Sequence, residues 1–337
     1  MAEYHRVQPR VHEPLDRVDV RVPVPDATAA FTRVPTVGRV FDIDASGWFP
    51  HRPPHGRGGS RNAEVCVRGV QRKGSSLLIS ASDPDAAILM IASLVTDASG
   101  VPRGGNIEQI CTLDHRLRHA GGMQRAGNLL SIPLEGRGVD ARVLFLEISH
   151  PLDPRVITGG TVFRSDVKAR ATAITTLPDG RLLLGVLSSK RRWFGLFGAR
   201  PVLDVYLSRT DDISDGFGDP CAIALPSRAR YQAISFAFSS THAELVRGCM
   251  IGLDAAGHAD FLPMEVWPPP QRGFWPREGT AAFGSPPLTK ALETASSMSP
   301  ITAAGIAVED DGEFAFYAGQ TVSGADCFRF SVYRSSS

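Results

Sequence analysis

The sequence predicts an all-β chain folded as a single β-propeller, with five blades preferred over six. Three observations carry this: a repeat at an offset of 53 residues, a strand-like run following each copy, and a scarcity of helical periodicity. "CVRGVQRKGSSLLIS" (66–80) aligns with "HAGGMQRAGNLLSIP" (119–133) through a shared Gly-apolar-Gln-Arg-x-Gly core, Gly69 to Gly74 against Gly122 to Gly127. The same step from Gly127 reaches Gly180 in "TAITTLPDGRLLLGVL", where Asp179-Gly180 is a turn signal between two apolar runs. Looser copies follow at 232–253, where Ser240 replaces the glycine, and at 304–319. Units of several short strands recurring every ~40 to 60 residues are the pattern of propeller blades.

In chain order, residues 1–32 read as an N-terminal arm and 33–337 as one propeller domain. The hairpin-like stretch "RVPTVGRVFDIDASGWF" (33–49) is placed to close the ring as an outer strand of the last blade. Each repeat copy supplies an inner hairpin, and the runs at 86–95, 141–149, 201–208, 259–267 and 326–334 supply its next strand, rich in β-branched and aromatic residues. An insertion near 268–300 holds the best helical candidate, "PPLTKALETASSM" (286–298).

The "HAGGMQRAGNLLSIPLE…RVLFLEIS" pattern and its counterpart at 66–95 resemble bacterial β-propellers of the broad YVTN/LVIVD-like kind. The resemblance covers mainly residues 60–210 and implies the fold. Such proteins include binding scaffolds, lactonases and cyclases, so it implies no single reaction.

Composition narrows the function classes. Lys and Arg number 36 against 35 Asp and Glu, a net charge of +1, which provides no overall field for nucleic acid. The five cysteines are far apart and lack zinc spacing, so they read as free thiols. The N-terminal stretch lacks the apolar core of a secretory signal, and no later run is long enough to span a membrane, so the expectation is a soluble cytoplasmic protein. GxSxG, P-loop, HExxH and dinucleotide-binding fingerprints are missing, which argues against the enzyme classes that carry them.

In a propeller, equivalent positions of the inner strands ring a central channel. Counting eight residues back from each turn glycine gives Cys66, His119, Thr172, Gln232 and Ala304, and two residues earlier, on the same strand face, lie Glu64, Arg170 and Arg230. Glu64, Cys66 and His119 are the catalytic candidates, with His119 moving protons, Glu64 orienting it and Cys66 a thiol nucleophile. Arg170, Arg230, Thr172 and Gln232 are the ligand-binding candidates, the two guanidiniums offering forks to a carboxylate or phosphate. The bland alternative is a polar channel lining in which His119 is only hydrogen-bonded to a loop.

"DIDASG" (42–47) has alternating oxygens suited to calcium through Asp42 and Asp44, although Pro53 stands where an EF-hand requires an acidic residue. A second acidic turn holds Asp211, Asp215 and Asp219. "KRRWFGLFGARP" (190–201) places Trp193, Phe194 and Phe197 among cations, a loop suited to a membrane surface, a lid or a protein partner. Two functions lead: a binding or scaffold propeller for a small anionic molecule or a protein partner, and an enzyme (hydrolase, lyase or cyclase) using histidine acid/base chemistry in the same pocket. A third, a carbohydrate-active five-bladed fold, would need two or three carboxylates around the channel, and the ring supplies only Glu64, which counts against it.

Overall fold

The structure, a computed structural model, describes residues 7–11, 24–49, 65–136, 140–165, 167–177, 179–190, 200–225, 230–238, 246–267, 288–293, 301–309, 311–322 and 326–334. Alternating apolar residues build antiparallel strands, and these assemble into five blades around one axis. Blade 1 runs outward through Cys66–Lys73, Ser76–Ser82, Ala87–Thr96 and Pro102–Asp114. Blade 2 has an inner strand in two pieces, His119–Ala120 and Gln124–Ala126, followed by Leu129–Glu135 and Ala141–Glu147. The short strands Arg155–Val156 and Val162–Arg164 share its outer edge. Blade 3 comprises Ala171–Thr176, Leu182–Lys190, Arg200–Leu207 and Cys221–Ala224, and blade 4 comprises Tyr231–Phe238, Val246–Asp254, His258–Trp267 and Leu288–Ala291.

Blade 5 is assembled from both ends of the described chain. Ala303–Val308, Phe314–Thr321 and Cys327–Arg334 come from late in the sequence, and the outermost strand, Arg39–Asp44, comes from its early part, with Phe41 opposite Phe330. Blades 5 and 1 also join edge to edge. Ala304 pairs with Gly69 at the axis, and Ile43 and Asp44 pair with Gly105 and Asn106 at the rim, linking eight strands in a closed circuit around one apolar cluster.

The repeat has a structural explanation. Gly74 and Gly127 occupy two-residue turns at φ +57°, a conformation that favours glycine. The arginine of each copy closes its own turn: Arg72 Nε donates to the Gly74 carbonyl at 2.8 Å and Arg125 Nη1 to that of Gly127 at 2.9 Å. The glutamine of each copy is buried at the axis. Gln71 Nε2 donates to the carbonyls of Met123 in blade 2 (2.9 Å) and Ile306 in blade 5 (3.1 Å). Gln124 binds blades 3 and 4 at once, donating to Ser235 Oγ and the Phe236 carbonyl and accepting from the amides of Ile174 and Phe236.

The expected open channel is therefore absent at this level, because the inner strands meet backbone to backbone. A Cβ on Gly122 would stand 2.1 Å from the Gln232 carbonyl oxygen of blade 4, and one on Gly305 would stand 1.9 Å from that of Val70. Only glycine permits such an approach.

Segments before blade 1 pack onto the ring. Val7 bridges the outer strand of blade 1 (Val7 N to Ile110 O, 3.1 Å; Thr112 N to Val7 O, 2.9 Å), and Arg10–Val11 lies parallel to Arg155–Val156 of blade 2. A helix, Ala27–Arg33, starts at Asp26, whose side chain accepts from the Ala29 amide at 2.9 Å, an N-cap that sequence reading passed over. Its Phe31 is buried between Phe261 of blade 4 and Phe316 of blade 5, at ring distances of 5.3 and 5.9 Å. The expected boundary between residues 32 and 33 falls inside this helix. The helix expected at 286–298 is corrected over its described part: Leu288–Ala291 is the outer strand of blade 4, paired with residues 258–261, so edge pairing prevails over helical propensity there. Among the described residues, no helix is long and apolar enough to cross a membrane.

Candidate functional site

At the end of the axis where the inner strands begin, three of the five strands carry a β-bulge at the same point. The register shifts between Val67 and Gly69 in blade 1, between Ala120 and Gln124 in blade 2, and between Tyr231 and Ala233 in blade 4. Such bulges disrupt the ladder and re-aim side chains. Aligning the blades on them places Cys66, His119 and Arg230 at one position, and Arg68, Gly121 and Gln232 at the next position but one.

Blade 3 meets this level through main-chain contacts. The Gly122 amide donates to the Arg170 carbonyl at 2.8 Å and the Thr172 amide to the Gly122 carbonyl at 2.8 Å, while the Gln232 carbonyl abuts Gly122. Arg68, His119, Arg170, Arg230 and Gln232 thus converge, by their backbone positions, on the entrance above a closed floor. Arg170 and Arg230 are exposed, whereas Arg68, Cys66, His119 and Gln232 are half-buried. The guanidiniums of Arg68, Arg170 and Arg230 form no ion pair among the described residues.

Two members of this entrance were missed by sequence reasoning. Arg68 stands in blade 1 where blade 2 has Gly121, a difference visible in the repeat alignment but informative only once the bulge is known. Glu135 pairs directly across the strands from His119, which puts both side chains on one sheet face, and Lys168 reaches Glu135 Oε1 at 3.8 Å.

Other candidates separate from the entrance. Thr172 is fully buried, and its hydroxyl is spent on the Ser131 carbonyl (3.0 Å) and Ser131 Oγ (3.0 Å), so it lines no channel. The cause is loop length: blades 1 and 2 turn in two residues, whereas blade 3 needs five between Thr176 and Leu182. Counting eight back from Gly180 therefore stops three residues short and lands on a position level with Gly69 and Gly122, inside the closed floor.

Asp42 and Asp44, the calcium candidates, both face outward on the strand Arg39–Asp44 and are engaged by protein partners. Asp42 holds Arg329 in a two-pronged pair at 2.8 and 2.9 Å, and Asp44 caps Ser46 through its amide (2.8 Å) and hydroxyl (3.0 Å). Among the described residues no three His, Cys, Asp or Glu side chains gather as a metal site. In the second acidic turn, Asp212 caps a short 3-10 helix and Asp215 accepts from Thr210 Oγ1 at 2.7 Å. Glu64, Trp193, Phe194 and Phe197 lie outside the described residues.

The blades and their closed axis define the class: the chain is a five-bladed β-propeller. No protein-family model matches the sequence, and no curated protein matches it. The resemblance to YVTN/LVIVD-like proteins is thus borne out at the level of the propeller fold, and the comparisons do not show that family. Among solved structures the chain is similar to a thermostable family-43 glycoside hydrolase, at 11% identity over 81% of this chain and 90% of that one, with a TM-score of 0.46. It is similar to a family-43 β-xylosidase/α-arabinofuranosidase from a compost microbial metagenome (11% identity, 81% and 92% covered, TM-score 0.48). An α-L-arabinanase from Penicillium chrysogenum gives 10% identity, 80% and 92% coverage and a TM-score of 0.41. Likeness at this level assigns no activity to this chain.

Proposed function

We propose that this propeller binds a small anionic molecule at the axial entrance. The observation that supports it is the convergence, by backbone position, of three arginines that form no ion pair among the described residues, Arg68, Arg170 and Arg230, from blades 1, 3 and 4 above a floor closed by main-chain contacts. Planar forks from different blades grip a carboxylate or phosphate from several sides. A closed floor makes the entrance a cup from which nothing passes through the ring.

Thermal unfolding with citrate and phosphate, against sodium chloride at equal ionic strength, tests this. A ligand at 100 times its Kd adds ~2.7 kcal/mol to the native state, a shift of several degrees for a domain of this size. The Arg68→Ala/Arg170→Ala variant should keep the unliganded Tm and lose the shift. An equal shift in both proteins would overturn the proposal.

The pairing of His119 with Glu135 supports a second reading, an enzyme in which His119 moves a proton within the same cup, with Cys66 at the equivalent position of blade 1. A histidine next to a carboxylate is the arrangement acid–base catalysis requires. His119→Ala separates the readings. A binding protein keeps most of its anion affinity, whereas a hydrolase, lyase or cyclase keeps affinity and loses turnover on an anionic ester or lactone.

A further inference from the structure

A second cleft, of about 450 Å³, opens away from the axis between the outer parts of blades 2 and 3. It is lined by the edge strand Val162–Arg164 and by Asp204, Tyr206 and the stretch 217–220. At its base lies an ion pair taken out of water: Arg164 donates through Nη2 to Asp204 Oδ2, and the two side chains are 4% and 6% exposed. Asp204 Oδ2 also accepts from Ser188 Oγ at 2.9 Å, so its charge is well satisfied. Arg164 Nη1 is different, being buried with no hydrogen-bond partner among the described residues. A buried donor left unpaired is unusual and calls for an acceptor.

The rim is mixed in character. Phe163 presents its ring at 77% exposure, and Phe217 is fixed by stacking on Phe145 at 5.5 Å. The Asp219 carboxylate, exposed at the rim, forms no ion pair or hydrogen bond among the described residues. Burial pushes the Tyr206 hydroxyl up from its ordinary pKa, with Arg164 and Asp204 pulling in opposite directions, so it remains a donor at neutral pH.

These features select a ligand class. An anion would meet the carboxylates of Asp204 and Asp219 while the single guanidinium is already neutralised. A cation would find a counter-charge only at exposed Asp219 on the rim and would offer no acceptor to Arg164 Nη1 at the base. A purely apolar molecule would leave Arg164 Nη1 stranded. A neutral ring carrying several hydroxyls supplies acceptors to Arg164, donors to Asp219 and a C–H face to Phe163, and the volume suits one such ring with room around it. We propose that the cleft between blades 2 and 3 is a binding site for a small neutral polyhydroxylated ring of the pyranose kind, separate from the axial entrance.

Saturation-transfer NMR and calorimetric titration with D-glucose, D-galactose and D-xylose test it, with benzoate as an anionic ring. The measurement runs to about 100 mM, a hundredfold excess over a millimolar site. The expected result is saturable binding of at least one pyranose and none of benzoate. Phe163→Ala and Asp219→Asn, both exposed positions, should each weaken binding roughly tenfold with Tm unchanged, and Arg68→Ala/Arg170→Ala should leave it intact. Absence of pyranose binding, preference for benzoate, or unchanged affinity in both cleft variants would each overturn the proposal. Because the axial variants are read with anions and the cleft variants with pyranoses, failure of one site leaves the other's result distinct.

Discussion

Replacing Gln124 by leucine removes a side chain of nearly the same volume but none of its polarity, so the effect reports on the axial hydrogen bonds and not on a cavity. Four bonds are lost: to Ser235 Oγ at 2.5 Å, to the Phe236 carbonyl at 3.1 Å, from the Ile174 amide at 2.6 Å and from the Phe236 amide at 3.0 Å. Two amides and a carbonyl are then stranded beside a side chain that was 1% exposed. At ~1 to 3 kcal/mol for each stranded group, and with some relaxation, Gln124→Leu should cost about 4 kcal/mol, a large part of an ordinary domain's stability. Gln71→Leu should cost about half as much, because Gln71 makes two bonds and its own Oε1 already lacks a partner in the native state. Urea unfolding followed by circular dichroism, extrapolated linearly to water with the slope checked for constancy, measures both. If Gln124→Leu lies within about 1 kcal/mol of the parent, or Gln71→Leu is the more damaging, the reasoning about the axis is wrong.

Other consequences are open to measurement. Tyr231→Phe removes the 2.8 Å bond from the tyrosine hydroxyl to Asp260 Oδ2, which retains Thr289 on its other oxygen, and should cost about 1 to 2 kcal/mol by the same assay. Alkylation of the native protein at pH 8, mapped by mass spectrometry, should reach half-buried Cys66 and Cys221 first and spare Cys249, whose thiol burial pushes up to about 12; labelling of Cys249 before global unfolding would contradict this. Asp97 is held at about 2 by hydrogen bonds from the Ser99 hydroxyl and the Val101 amide, with help from Arg39 against a burial penalty. A carboxylate lowered on folding stabilises above its unfolded pKa and loses that effect as pH falls through its folded value. The stability gap between the parent and Asp97→Asn should therefore be full above about pH 4 and close as pH falls towards 2, as acid titrations followed by fluorescence will show.

Local chemistry made much of the fold readable. The turn glycines, the arginines that close those turns and the axial glutamines are the repeated letters of the sequence, and each has one physical task carried out twice. What the alignment lacked was loop length and bulge position. Thr172 was displaced by a five-residue loop and Arg68 was overlooked beside Gly69, since neither a longer turn nor an extra residue in a ladder alters composition or periodicity. Glu135 escaped because it lies on the second strand of the hairpin, where only cross-strand register brings it opposite His119. The ion-pair partner of Asp42, Arg329, is almost the whole chain away, so no local motif could have named it.

The strand Arg39–Asp44 also bears on how the protein is made. During synthesis it emerges long before Cys327–Arg334, the partner against which it lies in the finished ring. Until then Arg39–Asp44 can meet blade 1 at Gly105 and Asn106, but its other edge, with Phe41 and Ile43, waits uncovered. The last blade is thus a clasp between early and late parts of the chain, a long-range closure of the kind that slows folding. A nascent chain halted before residue 327 would carry its sticky edge into the cell, and loss of 39–44 or of 327–334 should leave the same open ring.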